Sequence, residues 1–322
     1  MMQSDLIGLA EKAQSAWGQD SVAPRLISHR ENAVFKIRMP SGQPAALRLH
    51  RPGYCSEAEI LSELWWTQAL AKRQFPAPGP IADKTGNLLL TLPDGQMVTV
   101  ISWVNGAPVG VSGQPLAGDL NDRQTVFHRI GGLLAQLHLL SDQLTPPSHF
   151  TRRHWDLPGL LGEAPHWGRF WDNPALDPDQ RDLVALARDN ATRDLADYVA
   201  VGGDYGLIHA DTLRENVFAD GRDLTLIDFD DAGYGFRMYE LAVAVSQSLG
   251  EGDYADLQAA ILSGYCEVRP LKAQDIALFP MFAMLRSFAS LGWVMPRLPA
   301  DHPGIPRYID RAIIAARAYL AA

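Results

Sequence analysis

Apolar and polar residues alternate along Val34-Phe35-Lys36-Ile37-Arg38, which is the period of a half-buried strand. Met39-Pro40-Ser41-Gly42 is turn chemistry, and Ala45-Ala46-Leu47-Arg48-Leu49-His50 reads as the returning strand of a hairpin. Ser56-Glu57-Ala58-Glu59 is a capping box that predicts a helix from about Glu57 to Ala71, stopped by Pro76, Pro78 and Pro80. Leu88 to Leu92 and Met97 to Ile101 are two further strand-like runs around the turn Pro93-Asp94-Gly95. The first hundred residues therefore read as β-rich with one helix.

After Val104-Asn105-Gly106 the texture changes. Asn121-Asp122 is the expected cap of an amphipathic helix with Val126, Ile130, Leu133, Leu134 and Leu137 on one face. Residues 141–180 are irregular and rich in Pro, His and Trp, and 181–200 look helical. Short strands and turns return from Gly203 to Asp230, and from Met238 onward the pattern is helical. The expected organisation is a small β-rich lobe over 1–101, a connector at 102–107 and a larger, mainly helical lobe over 108–322.

Charge narrows the partners. The 322 residues include 28 Lys+Arg against 37 Asp+Glu, a formal charge of −9 that disfavours nucleic acid and anionic lipid and suits a cationic substrate or carboxylates holding metal. Cys55 and Cys266, far apart, make no disulfide framework and are expected to be reduced. The first residues lack a basic-then-apolar leader pattern. The longest apolar run, Ile276 to Leu285, contains Pro280 and falls short of the roughly 20 residues that span a bilayer. A soluble, cytoplasmic protein is expected.

The chemistry concentrates in one segment. Leu207-Ile208 precedes His209-Ala210-Asp211, Val217-Phe218 follows Asn216, and Leu226-Ile227 precedes Asp228. These short apolar runs read as buried strands, with Ala219-Asp220-Gly221-Arg222 as the turn of a hairpin. Asn216 and Asp228 are thereby expected side by side, with Asp211 on the loop leading in. Converging hard oxygen ligands suit Mg²⁺, which shares phosphate oxygens. Phosphoryl transfer needs this set: one Asp orients the attacking hydroxyl, and an Asn and a second Asp hold metal. His-x-Asp-x4-Asn with an Asp after the next strand is the protein-kinase catalytic-loop spacing, with Asp228-Phe229-Asp230 in place of Asp-Phe-Gly.

His209 to Asn216 together with Ile227-Asp228-Phe229-Asp230-Asp231 resembles the aminoglycoside phosphotransferase/choline kinase family, nearest to the branch of kinase-fold homoserine kinases and bacterial stress-response kinases. Leu47 to Gly53 and Ser62-Glu63-Leu64 resemble the N-lobe of that branch. The resemblance implies an α+β, protein-kinase-like two-lobe fold and an ATP- and Mg²⁺-dependent phosphotransferase acting on a hydroxyl of a small metabolite. It implies Asp211 as catalytic base, Asn216 and Asp228 as metal ligands, and His209 as a brace for the loop. Glu63 would orient the cation that holds the nucleotide phosphates. Ser102 to Val104 would bond adenine through the backbone, and Ser28 to Asn32 would cover the phosphates. Three departures stand out: Arg48 occupies the place of the usual Lys, the Gly-rich loop pattern is absent from Ser28-His29-Arg30-Glu31-Asn32, as is common in this family, and Glu240 in Arg237-Met238-Tyr239-Glu240 replaces an Asp.

Other residues stay open. Asp230 and Asp231 either face solvent or contact the acceptor, and their acidity favours an amine-bearing one. Tyr234, Arg237, Arg286 and Trp293 line an acceptor pocket or pack structurally, and Trp155, Trp167 and Trp171 are expected to pack under a long loop. The rival readings are a protein Ser/Thr kinase of the stress-response type and a nucleotide-binding module with little catalysis.

Overall fold

The computed structural model describes residues 3–18, 22–29 and 31–322. Its strands are β1 (Arg25–His29), β2 (Ala33–Arg38), β3 (Pro44–Leu49), β4 (Leu89–Thr91), β5 (Met97–Ser102), β6 (Ala107–Pro108), β7 (Arg153–Trp155), β8 (Tyr205–Ile208), β9 (Val217–Asp220), β10 (Asp223–Leu226) and β11 (Gly233–Phe236). Its α-helices are α1 (Gln3–Gln14), α2 (Glu57–Lys72), α3 (Leu120–Asp142), α4 (Leu157–Leu161), α5 (Pro178–Ala200), α6 (Arg237–Val245), α7 (Tyr254–Val268), α8 (Ala273–Ala277), α9 (Phe279–Val294) and α10 (Ile305–Leu320). Among the described residues no helix is long and apolar enough to cross a membrane.

Two compact units emerge. The first comprises Met1–Ala107, Leu144–Arg152 and Phe218–Asp230; the second comprises Pro108–Gln143, Arg153–Val217 and Asp231–Ala322.

In the first unit an antiparallel sheet runs in the order β1-β2-β3-β5-β4. β2 alternates, burying Ala33, Phe35 and Ile37, as its pattern requires. β3 is buried along almost its whole length because both of its faces are covered. Leu6, Ala10, Ala13 and Trp17 share a core with Phe35, Leu47, Val98 and Val100. Ile60 and Leu64 of α2 pack in a second cluster with Cys55. The capping box of α2 forms as expected: Ser56 accepts from the Glu59 amide, and Glu59 returns to the Ser56 amide. The hairpin from Phe218 to Leu226 belongs to this unit, where the Leu226 amide donates to the Pro76 carbonyl at 3.0 Å.

The sequence reading needs four corrections here. It missed α1, whose buried stripe is built largely of alanines, and it missed β1. The cap of α3 is Asp119 rather than Asn121, with Asp122 completing a capping box from the third helical position. Asp177 caps α5, which therefore begins at Pro178.

The second unit is mainly helical. α3 and α7 approach closely at Gly131 and Gly264. A Cβ on Gly264 would overlap the His128 carbonyl, and one on Gly131 would overlap that of Ile261. β11 lies between β7 (parallel) and β8 (antiparallel). Immediately after β11 the chain enters α6, all nine residues of which are buried.

Candidate active site

Asp211 sits on the loop between β8 and β9, and the loop is held by its own amides. The buried Glu240, on the first turn of α6, accepts from the backbone N–H of His209 and of Ala210 and from the Thr212 hydroxyl, the last at 2.6 Å. Ala210 takes a left-handed φ of 65°, which turns the chain sharply just before Asp211. His209 is buried, and its Nδ1 accepts from the Asp211 amide at 3.2 Å, so it braces the loop. Arg214 is buried and donates to Ser248 Oγ at 2.6 Å, while its amide donates to Gln247 Oε1 at 3.1 Å.

Both oxygens of the Asp211 carboxylate are engaged. Arg286 Nη2, from α9, donates to Oδ1 at 2.9 Å, and Asn216 Nδ2 donates to Oδ2 at 2.9 Å and to the Asp211 carbonyl at 2.8 Å. Burial pushes the Asp211 carboxyl above the usual carboxylate range against the pull of Arg286. The side chain keeps 21% of its surface exposed, so it remains reachable. With its amide nitrogen committed to Asp211, Asn216 has its carbonyl oxygen available to a hard cation.

The first unit gathers a second group. Arg48 on β3 donates through Nη1 to Glu63 Oε1 of α2 at 2.7 Å and through Nη2 to Asp230; Asp228 Oδ1 lies 4.0 Å from Nη2. Burial would lower the Arg48 pKa, but Asp230, Glu63 and Asp228 overcome it and raise it. Burial likewise pushes the Asp230 carboxyl up, yet the Arg48 and Arg152 guanidinium groups hold it below the carboxylate range. His50, buried beside Arg48, is pushed down to about 3 and stays neutral. Asp228 has a left-handed φ of 67° and a side chain 51% exposed. Phe229 meets the ring of Trp66 edge-on at 5.4 Å, and Arg152 donates to the Phe229 and Asp230 carbonyls at 2.9 and 2.6 Å. These contacts fix the segment against α2.

Of the residues expected from sequence, Arg48, Glu63 and Asp228 are thus brought together in the first unit, and Asp211 and Asn216 in the second. Asn216 immediately precedes β9, and Asp228 lies two residues beyond β10. Ser102 ends β5, where its amide donates to the Gly79 carbonyl at 2.8 Å and its hydroxyl accepts from the Gly79 amide at 3.0 Å. Its N–H is therefore committed within the protein, and Val104, half-buried, follows two residues later. In the β1–β2 turn Asn32 is buried, whereas Arg30 lies outside the described residues.

Asp230 and Asp231 need correction. Asp230 is buried against Arg48, and Asp231 pairs with Arg153 at 2.9 Å, so neither is the solvated acid that favoured an amine-bearing acceptor. The tryptophans pack as expected: Trp155 is buried against Tyr239 and Trp167, and Trp171 lies under the guanidinium of Arg188. Sequence reasoning missed Arg152 and Gln247 and left Arg286 undecided. Each acts from a distant stretch of chain, with no local pattern to mark it. Among the described residues no three His, Cys, Asp or Glu are grouped to hold a metal.

A model of the phosphotransferase enzyme family (APH) matches residues 24–275. The chain belongs to this family. The phosphotransferase is 30% identical over 272 residues to the homoserine kinase of Polaromonas naphthalenivorans, covering 76% of this chain and 75% of that one. It is 25% identical to the amicoumacin kinase of Bacillus subtilis, over 88% of this chain and 83% of the other. The solved structure of the microcompartment-associated aminopropanol kinase matches it with a TM-score of 0.83 at 29% identity, covering 98% of both chains. The α+β, protein-kinase-like fold class expected from the resemblance is the one found, and the phosphotransferase is a small-molecule kinase.

Proposed function

We propose that this phosphotransferase transfers the γ-phosphoryl group of ATP, with Mg²⁺, to a hydroxyl of a small aliphatic metabolite of the amino-alcohol kind. The observation that carries this is Asp211, partly exposed, its carboxylate held by Arg286 and Asn216 on a loop anchored by Glu240. A base fixed in this way can orient a hydroxyl and receive its proton while phosphoryl transfer proceeds. Arg48, aimed by Glu63, holds the nucleotide phosphates. Asn216 and Asp228 offer oxygen ligands for Mg²⁺, which when bound neutralises charge developing on the phosphates. Ser102 and Val104 are proposed as adenine contacts, Ser102 through its carbonyl because its amide is committed.

The acceptor class draws on the relatives, since homoserine and aminopropanol are both small chains bearing a hydroxyl and an amine. The protein-kinase alternative is disfavoured by the chain after Asp231, which enters β11 at Gly233 and α6 at Arg237, with no long segment to form a peptide platform. Intact Asp211, Asn216 and Asp228 disfavour a module without catalysis. The test is ATP consumption with Mg²⁺ across a panel of hydroxylated metabolites that includes homoserine and aminopropanol. Turnover with one of them, lost on Asp211→Ala, is the expected result. Unchanged turnover in that variant overturns the assignment of Asp211, and turnover with protein acceptors alone favours the alternative.

A further inference from the structure

The buried end of Arg48 is a fork with both prongs engaged. Nη1 meets Glu63 Oε1 at 2.7 Å, and Nη2 meets Asp230 Oδ1. Asp230 is itself held from two sides: Asn32 Nδ2 donates to its other oxygen, and Arg152 Nη2 donates to its backbone carbonyl at 2.6 Å. Arg48, Glu63, Asp230, Asn32 and Arg152 are all buried. We propose that Asp230 is a positioning residue for nucleotide phosphate: it aims the Arg48 guanidinium, and it is the reason this chain carries arginine rather than lysine at that place. This deepens the function proposed above and rests on that reading.

The chemistry of the two cations separates them. A guanidinium has five N–H donors in a rigid plane, so two carboxylates can take one each and leave three aimed in fixed directions. An ammonium has three donors on one atom, so it serves two carboxylates only where their oxygens converge on a single point, whereas the guanidinium meets α2 and the segment after β10 through two separate nitrogens. Without Asp230 the guanidinium would pivot about its single bond to Glu63. Asn32 carries the arrangement into the β1–β2 turn, because its Oδ1 accepts from the Arg51 amide at 3.0 Å. The turn, the cation and the segment from Asp228 to Asp230 therefore form one hydrogen-bonded assembly. Charge supports it: Arg48 and Arg152 balance Glu63 and Asp230, with Arg152 Nη1 3.9 Å from Glu63 Oε2.

The experiment is calorimetric binding of Mg²⁺·AMP-PNP to the full chain, with adenosine, which lacks phosphates, as the control ligand. Asp230→Asn should weaken Mg²⁺·AMP-PNP about tenfold and leave adenosine unchanged, while Asp230→Glu, which restores a carboxylate, recovers part of the loss. Arg48→Lys should also weaken it, and in the Asp230→Asn background that loss should shrink several-fold, because the second carboxylate is gone. Wild-type affinity in Asp230→Asn, or losses that simply multiply in the double variant, overturns the proposal. If Asp230→Asn does not fold, Asn32→Ala keeps both charges and releases only the second Asp230 oxygen. It should weaken Mg²⁺·AMP-PNP and spare adenosine, and an unchanged affinity there is equally fatal. Wild-type protein that binds no Mg²⁺·AMP-PNP overturns the phosphotransferase reading itself and takes this proposal with it.

Discussion

The surroundings of Arg48 and of Asp211 solve the same problem, fixing a charged group, in opposite ways. Around Arg48 the fixing is done by ions: two carboxylates grip one guanidinium, and a second arginine balances the sum. Around Asp211 it is done largely by backbone: one buried glutamate collects two amides and a hydroxyl, and the loop presents the aspartate as a consequence. An ion cluster is sensitive to any change in charge count, because removing one partner leaves another buried and uncompensated. An amide-held loop is sensitive above all to its anchor, although Asp211 itself also carries an ion pair with the buried Arg286.

That contrast can be broken or sharpened experimentally. The largest effect is expected on turnover. Asp211→Ala should lower kcat by about 10²–10⁴-fold with the identified acceptor, while Mg²⁺·AMP-PNP affinity stays close to wild type. Parallel calorimetry and steady-state rates check both halves. Next comes the anchor: Glu240→Ala orphans three buried donors and should cost about 3–5 kcal/mol of unfolding free energy in urea titration. A loss below about 1 kcal/mol would mean that the loop is not held as described. Gly264→Ala forces a methyl against the His128 carbonyl and should destabilise by about 1–3 kcal/mol in the same titration, without altering AMP-PNP affinity.

An effect of similar size to that of Gly264→Ala is expected in pH. His50 titrates near 6.5 in the unfolded chain and near 3 when folded, so between those values the unfolded state binds more protons. Stability should therefore fall as pH drops through that window, by about 1.4 kcal/mol per unit once well below 6.5. His50→Asn should flatten this slope, as thermal melting at pH 7, 6 and 5 would show. An identical slope in the variant would assign the dependence to other groups.

How much was legible depended on whether a residue's partner lay nearby in sequence. The capping box of α2, the alternation in β2 and the spacing from His209 to Asn216 are local patterns, and each led to the right element. Glu63 as the partner of Arg48 was legible through the family resemblance. The role of Asp230 was not, because one acidic residue beside another reads as a solvated pair until a cation 182 positions away is seen against it. Arg152 and Arg286 were opaque for the same reason, since each meets its target across some 75 positions or more. α1 escaped because alanine marks a buried stripe only weakly.

Helix α6 has one further consequence. Glu240 lies in its first turn, and Gln247 and Ser248 lie in the 3-10 turn Ser246–Ser248 that continues directly from its end, so the anchors of the Asp211 loop ride on one continuous helical stretch with no exposed residue along it. Such a stretch cannot gain or lose a residue without rotating one anchor by about 100° relative to the other. Length variation among related enzymes is therefore expected to spare Arg237 to Ser248 and to accumulate where backbone is exposed, so new acceptors can be acquired by remodelling elsewhere while this short stretch stays the same size.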